Sequence, residues 1–505
     1  LITRSFILLA AAFYVATASG QSAITLRPAG RTIPFRITIS PSAEPTVLEA
    51  STNLNRWIGI ATNAPNAAPI TITDSQSAAL PRRFYRIQTL GPPLSDLTQV
   101  PNDVFMPPDG FNALQYAPNG KLGFIVWRGK DLLYRERNGS VWREYVVGTF
   151  GNTYAPGVTE EYRFQPLCAL LFDSASRAHI LRLSGNSVRH HVQQATGAFA
   201  ESAAISLSAL GSTFSLFDAA IGPRDALHIA VVPAQQNAVV HYGSNKPGAW
   251  QWSSVAQLTG NPRGFWKQSY APRWFSLAVD SQNYAHITFC PQFQLPLGPE
   301  GYYQPNSELH YASNRGGTWT SQRLANVPDL SGDAGHGASV AIGPNDQPAI
   351  AAWYNERWRT GSSDWCQLHY YTRDAGGAWS KQIVASNADG YLAGDGDKGT
   401  GFAPYLRFDS RGRPHVAFLD DAAQHFPMQN EYAGNLRHAW YDGANWITRT
   451  VYRQTAALER QIVYPAMAVS EDEMTFIGLD RHTVWQTDRI ATSTYYFFSV
   501  QAPLP

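Results

Sequence analysis

Charge and cysteine are both scarce in this chain. Only 15% of its 505 residues are Asp, Glu, Lys or Arg, and the formal net charge is +1. Such an even balance provides no field to draw in a polyanion, so neither nucleic acid nor an anionic membrane surface is an expected partner. Cys168, Cys290 and Cys366 are the only cysteines. They are too few and too far apart for a disulfide framework or a thiolate metal site, and buried free thiols are expected. There is no phosphate-cradling G-x-x-x-x-G-K-[ST], no H-E-x-x-H and no C-x-x-C, which argues against nucleotide, zinc-protease and haem-attachment roles. After the first twenty residues no apolar run is long enough to cross a bilayer as a helix.

The chain is instead rich in rings and turns. It has 15 Trp, 24 Tyr and 24 Phe, with 40 Gly and 33 Pro. Many aromatics between frequent turns point to an all-β globular protein with a large core.

Residues 1–20 read as a signal peptide. Arg4 precedes the short apolar stretch "SFILLAAAFYVATA", and "ASG" offers a cleavage site near Gly20. A secreted, periplasmic or cell-surface location is therefore expected. Residues 23–90 alternate apolar and polar residues around a Pro- and Asn-rich turn, the pattern of a small antiparallel β module. "VLEASTNLNRW…IATN…RFYRI" resembles an accessory module of exported proteins from Verrucomicrobia-like bacteria. Residues 91–106 read as a linker.

Residues 107–503 are a repeat. "SLAVDSQNYAHITF" (276–289), "YLRFDSRGRPHVAF" (405–418) and "ALLFDSASRAHILRL" (169–183) each describe two alternating strands around a polar turn. Aligned on the second strand, the equivalent residues are Gly123, His179, His228, His286, Ala349, His415 and Phe476, spaced by 56, 49, 58, 63, 66 and 61. A third strand such as "QLHYYT", a Gly turn and an aromatic-led fourth strand usually follow. Four antiparallel strands recurring in this way predict a seven-bladed β-propeller, with six blades as the alternative. The blades resemble those of secreted bacterial propellers reading S-L-A-hydrophobic-D-S-x-G-x-P-H-I, a resemblance that implies the fold and leaves the role open.

Thr372, Asp374, Gly376 and Trp379 match the Asp-box of sialidase-type propellers, S/T-x-D-x-G-x-x-W, and Ala312, Asn314, Gly316 and Trp319 occupy the same places one blade earlier with two substitutions. A feature stamped into successive blades is expected to build the fold: Asp caps turn amides, Gly takes positive φ, and Trp packs a neighbour. The recurring histidines are expected to hydrogen-bond strands and blades, not to catalyse or bind metal. A sialidase is disfavoured, since no arginine triad can be traced and "FRITIS" (35–40) departs from F-R-I-P.

Function is expected where the copies disagree. The connections between second and third strands are long in blades 4, 5 and 6 (290–308, 354–366 and 420–435), as are the lead-ins 260–274, 329–337 and 388–404. Both kinds of connection fall on one face. There Tyr270, Arg273, Tyr303, Tyr354, Arg357, Trp358, Asp421 and Glu431 are candidate ligand-binding residues. Aromatic faces stack on sugar rings, carboxylates accept from paired hydroxyls, and Arg forks bind acidic substituents.

A carbohydrate-binding propeller is the leading reading. The alternative in the same cleft is a polysaccharide-degrading hydrolase or lyase using His336, Asp397, Asp420 and His425. Some secreted propellers of similar appearance are ulvan-type lyases working with His, Tyr and Arg, although their motifs do not match here residue by residue. A cell-surface protein-interaction scaffold is a third reading. No cofactor is required by any of them. "DGDKG" (395–399) could offer Asp395 and Asp397 to Ca²⁺, but it lacks the later bidentate Glu and reads first as a solvated turn.

Overall fold

The computed structural model describes residues 24–27, 35–40, 46–51, 58–63, 68–74, 84–89, 114–128, 131–138, 141–150, 168–211, 214–233, 239–246, 248–257, 275–290, 292–294, 305–326, 332–356, 365–386, 398–424, 432–452, 460–470, 473–484 and 489–501. It contains two compact units, Leu1–Thr89 and Leu90–Pro505.

The first unit has two three-stranded antiparallel sheets. Ile24–Arg27, Phe35–Ile39 and Ile70–Asp74 form one; Ile58–Asn63, Thr46–Ser51 and Phe84–Thr89 form the other. Ile37, Ile39 and Leu48 are fully buried, with Ile72, Tyr85 and Ile87 packed on them. Alternation thus places one face of each sheet inward.

The second unit is an all-β propeller with almost no helix. Its innermost strands are Leu114–Tyr116, Cys168–Phe172, Phe214–Ile221, Phe275–Val279, Gly332–Ile342, Lys398–Phe408 and Arg460–Val469. Each lies against the next, and the last returns to the first, so seven inner strands close a ring. They nevertheless belong to six sheets. The excess arises because Asn306 and Ser307 of blade 4 pair in parallel with Gly332 and Asp333 of blade 5, fusing two blades into one sheet.

Burial explains the sequence of each strand. First and second strands such as "CALLF" and "LHIAVVP" are buried at every residue, because neighbouring blades cover both faces. The outermost strands Thr320–Asn326 and Trp379–Ser386 are largely exposed and correspondingly polar. Cys168, Cys290 and Cys366 are buried thiols outside any disulfide, as expected.

The repeated residues hold the blades together. His179 Nδ1 lies 3.0 Å from His190 Nε2, and His415 Nδ1 lies 3.0 Å from His438 Nε2. In blades 3 and 4 the hydroxyls of Tyr242 and Tyr311 take the same place beside His228 and His286, at 2.5 and 2.6 Å. These contacts join the second and third strands of one blade. His228 also reaches the next blade, with Nε2 3.1 Å from Asn283 Oδ1.

The turns that precede these repeated tryptophans are likewise structural. Asp374 Oδ1 accepts from the Ala378 amide at 2.8 Å, while Gly377 stands at φ 90°. Trp319, Trp379 and Trp446 meet Tyr242, Tyr311 and Tyr370 of the preceding blades edge-to-face, at 5.2, 4.9 and 4.9 Å.

Candidate functional site

The long connections expected in blades 5 and 6 are in part strand. Blade 5 pairs Gly332–Ile342 with Pro348–Glu356, and blade 6 pairs Lys398–Phe408 with Pro414–Gln424. Both hairpins run well beyond the five-residue inner strands of blades 2 and 4. Blade 7 is prolonged too, with Arg460–Val469 against Glu473–Val484. Bulges absorb the added residues: register shifts flank His336, Thr400 and Phe402 and fall between Val463 and Ala466. Gly401 makes one of them possible. At φ 87° it approaches blade 5 so closely that a Cβ would sit 2.6 Å from Leu368 Cβ. The walls of this face therefore rise on blades 5, 6 and 7, and an excursion of blade 4, Gln292–Gln294 on Pro305–Ser307, adds to them.

Three successive blades carry a polar pair at the same height on their third strands, flanking a buried leucine. In blade 4, Glu308 and His310 flank Leu309; the His310 Nε2 to Glu308 Oε2 distance is 2.9 Å. Arg323 Nη1 donates to the other Glu308 oxygen at 2.7 Å. The His310 side chain keeps 22% exposure and its ring stacks on Phe289 at 5.4 Å.

In blade 5, Gln367 and His369 flank Leu368. His369 is buried beneath Tyr354, whose ring stacks on it at 4.8 Å and 25°. Burial, assisted by the charge of Lys381, pulls His369 down to about 3, so the imidazole is neutral near pH 7. Its network fits one tautomer: Nε2 donates to Gln367 Oε1 at 2.7 Å, and Nδ1 accepts from the Tyr371 hydroxyl at 3.1 Å.

In blade 6, Asn435 and Arg437 flank Leu436. Arg437 Nη1 donates to Asp420 Oδ2 at 2.5 Å and Nη2 donates to Thr448 Oγ1 at 3.3 Å. Asp420 is 3% exposed, whereas the Arg437 side chain keeps 26%. Thr400, Asp420 and Asn435 are directly opposed across three strands, so their side chains share one face of the blade.

Two residues expected at the site are thus placed by their side chains: Tyr354 covers His369 in blade 5, and Asp420 pairs with Arg437 in blade 6. For His336 and Asp421 the described feature is the backbone, in strands Gly332–Ile342 and Pro414–Gln424. Tyr270, Arg273, Tyr303, Arg357, Trp358, Asp395, Asp397, His425 and Glu431 lie outside the described residues. Among the described residues no group of three or more His, Cys, Asp or Glu could hold a metal ion. Sequence reasoning missed Glu308, His310, Gln367, His369, Asn435 and Arg437. Aligning the third strands "ELHY", "QLHY" and "NLRH" on their leucine, in place of the second strands, brings them together.

No family model matches the chain, and none of the curated proteins does. Among solved structures it is similar to a polysaccharide lyase (Uly1), at 11% identity and TM-score 0.47, covering 78% of this chain and 90% of that one. It is also similar to the lectin of Aleuria aurantia in complex with Fucα1-6GlcNAc, at 10% identity and TM-score 0.35 over 70% of this chain and all of that one. A third is the GH93 α-L-arabinofuranosidase of Fusarium graminearum in complex with arabinobiose, at 11% identity and TM-score 0.37 over 80% and 98%. Likenesses at this level assign no role to any residue.

Proposed function

We propose that this protein binds carbohydrate on the raised face of blades 4 to 6. The observation that carries the reading is the row of polar pairs Glu308–His310, Gln367–His369 and Asn435–Arg437 at one height on the third strands of three consecutive blades, the last anchored by Asp420. Glycans present paired hydroxyls, and the partly exposed His310 and Arg437 offer polar groups at the edge of this row, with the buried Gln367–His369 pair setting the wall between them. The rings of Phe289 and Tyr354 lie alongside, stacked on His310 and His369.

The chemistry favours binding over glycoside hydrolysis. A hydrolase needs one carboxyl group held protonated near neutral pH and a second ionised across the bond. Asp420 accepts from Arg437, and Glu308 accepts from Arg323 and lies beside His310, so each carboxylate is already engaged by neighbouring groups. Asp173, Asp280 and Asp409 are all lowered, by hydrogen bonds and neighbouring cations that outweigh their burial. They also sit in the turns at the opposite end of the blades.

One observation supports an enzymatic reading. His310 is partly exposed and oriented by a carboxylate, the arrangement of a general base. A lyase drawing on His310 is therefore the second function, and it uses the same face.

The deciding experiment incubates the protein with a panel of neutral and acidic polysaccharides, scoring retention together with new reducing or unsaturated ends. Retention without cleavage agrees with the binding reading. Cleavage transfers the assignment to the lyase or a hydrolase. Neither outcome on any glycan leaves a protein-interaction scaffold and refutes both.

A further inference from the structure

A second site lies far round the ring, between blades 1 and 2. Arg182, on the second strand of blade 2, is 4% exposed. Its Nε and Nη1 are buried and make no hydrogen bond among the described residues. Phe150, just past the last strand of blade 1, lies under the guanidinium with its centroid 3.9 Å from Cζ. The same ring contacts His191 at 5.5 Å, and the buried Nε2 of His191 also has no partner among the described residues. Arg182 and His191 share one side of the sheet, opposite Arg189 and Ile180 respectively.

The neighbouring described groups that could neutralise this cation are otherwise engaged. Glu201 accepts from Arg189 Nη1 at 2.9 Å. Cys168 faces Arg182 directly across the strands, but burial pushes its thiol up to about 12, so it carries no charge near neutral pH. Burial lowers Arg182 itself, and the charge of Arg189 acts in the same direction. A buried guanidinium without a counter-ion is strongly unfavourable, and native structures rarely leave such groups unmatched. An aromatic ring satisfies only the guanidinium face; the N–H bonds point outward in the plane and require an oxygen acceptor there.

We infer that the Arg182–His191 pocket beside Phe150 binds an oxyanion group of the carboxylate class, either as a small free anion or as the acidic substituent of a sugar. Arg182 supplies the charge and the in-plane donors, and His191 Nε2 supplies a further polar contact. The site is independent of the face on blades 4 to 6, and either can fail without the other.

The test follows the thermal unfolding midpoint of the full chain during titration with sodium acetate, sodium glucuronate and, as an uncharged control, glucose. A saturable rise with acetate establishes a free-anion site. A rise with glucuronate alone establishes a sugar-borne carboxylate. In either case Arg182→Met should abolish the rise while leaving the anion-free midpoint unchanged or higher, since it removes an unmatched charge. If that variant does not fold, His191→Phe keeps the ring and should weaken the apparent affinity by about fivefold, on the scale of one lost hydrogen bond. No saturable response to acetate or glucuronate, or a response unaltered in both variants, overturns the inference and leaves the pocket to water.

Discussion

Tyr311 of blade 4 meets Trp379 of blade 5 edge-to-face, with ring centroids 4.9 Å apart and planes at 70°. Tyr242 with Trp319 and Tyr370 with Trp446 repeat the geometry at 70° and 69°. The aromatic residue of each outer hairpin is thus a clasp on the blade before it, on the structural side of the molecule. Its removal should cost stability and leave ligand recognition intact. Trp379→Ala is expected to lose about 2 kcal/mol, somewhat less than a fully buried aromatic would, because Trp379 is partly buried. Urea unfolding measures this, and glycan retention at low temperature should match that of the parent. A variant of undiminished stability that had lost retention would place Trp379 in the binding site.

Gly401 should tolerate no side chain. Ala there combines a φ of 87° with a Cβ 2.6 Å from Leu368 Cβ and 2.9 Å from its Cα. Gly401→Ala is expected to destabilise by roughly 2 kcal/mol or more through strain and overpacking. Because the bulge aims blade 6 at the proposed site, retention should weaken in the folded fraction as well. Equal stability of variant and parent would refute the bulge geometry.

Acid should unfold the propeller in a defined window. Burial lowers His228 and His190 to about 4 and His369 to about 3, against an unfolded value near 6.5. Between these limits the unfolded chain binds protons that the folded chain refuses, so stability falls as pH drops from about 6.5 toward 4. Each such histidine contributes a loss on the order of 1.4 kcal/mol for every pH step of one crossed inside that window. Asp173, Asp280 and Asp409 are lowered, so their contribution is present above about 3.8 and is lost only below it. Urea midpoints at pH 7, 5.5 and 4.5 test the first window; a flat profile would contradict the neutral buried histidines.

Much of the fold was legible in the sequence. The second strands recur because each must be apolar on both sides, and four of them carry a histidine for the third strand, so His179, His228, His286 and His415 could be aligned directly. The count of seven followed from that spacing, although pairing at Asn306 and Ser307 merges two blades into one sheet. The site was less legible. Residues 329–337 and 420–424 read as loop because they break the repeat. Yet Gly337 and Gly401, both at positive φ, let the hairpins continue through bulges that periodicity cannot reveal. The polar pairs were hidden for a different reason: His310, His369 and Arg437 lie among ordinary β-strand residues, and only the shared leucine register shows that they stand at one height.

Arg437 should be the most sensitive residue of the face. Arg437→Met strands the carboxylate of Asp420, which is 3% exposed, without its cation. Loss of one partner of a fully buried pair costs about 3–5 kcal/mol, and the 26% exposure of the Arg437 side chain puts this one at or below the lower end. The double variant Asp420→Asn with Arg437→Met should recover part of that stability, because the unmatched charge is gone, yet should still fail to retain glycan. Thermal unfolding of the two singles and the double gives the coupling.

The central claim is that the polar pairs of blades 4 to 6 form one carbohydrate-binding surface. The most direct measurement is retention on the polysaccharide panel by the parent and by His310→Ala, after confirming that both unfold at the same urea concentration. The account predicts that the parent is retained on at least one glycan and that His310→Ala weakens retention about tenfold, with no new chain ends from either protein. Undiminished retention of the variant, or cleavage by the parent that His310→Ala abolishes, would contradict it.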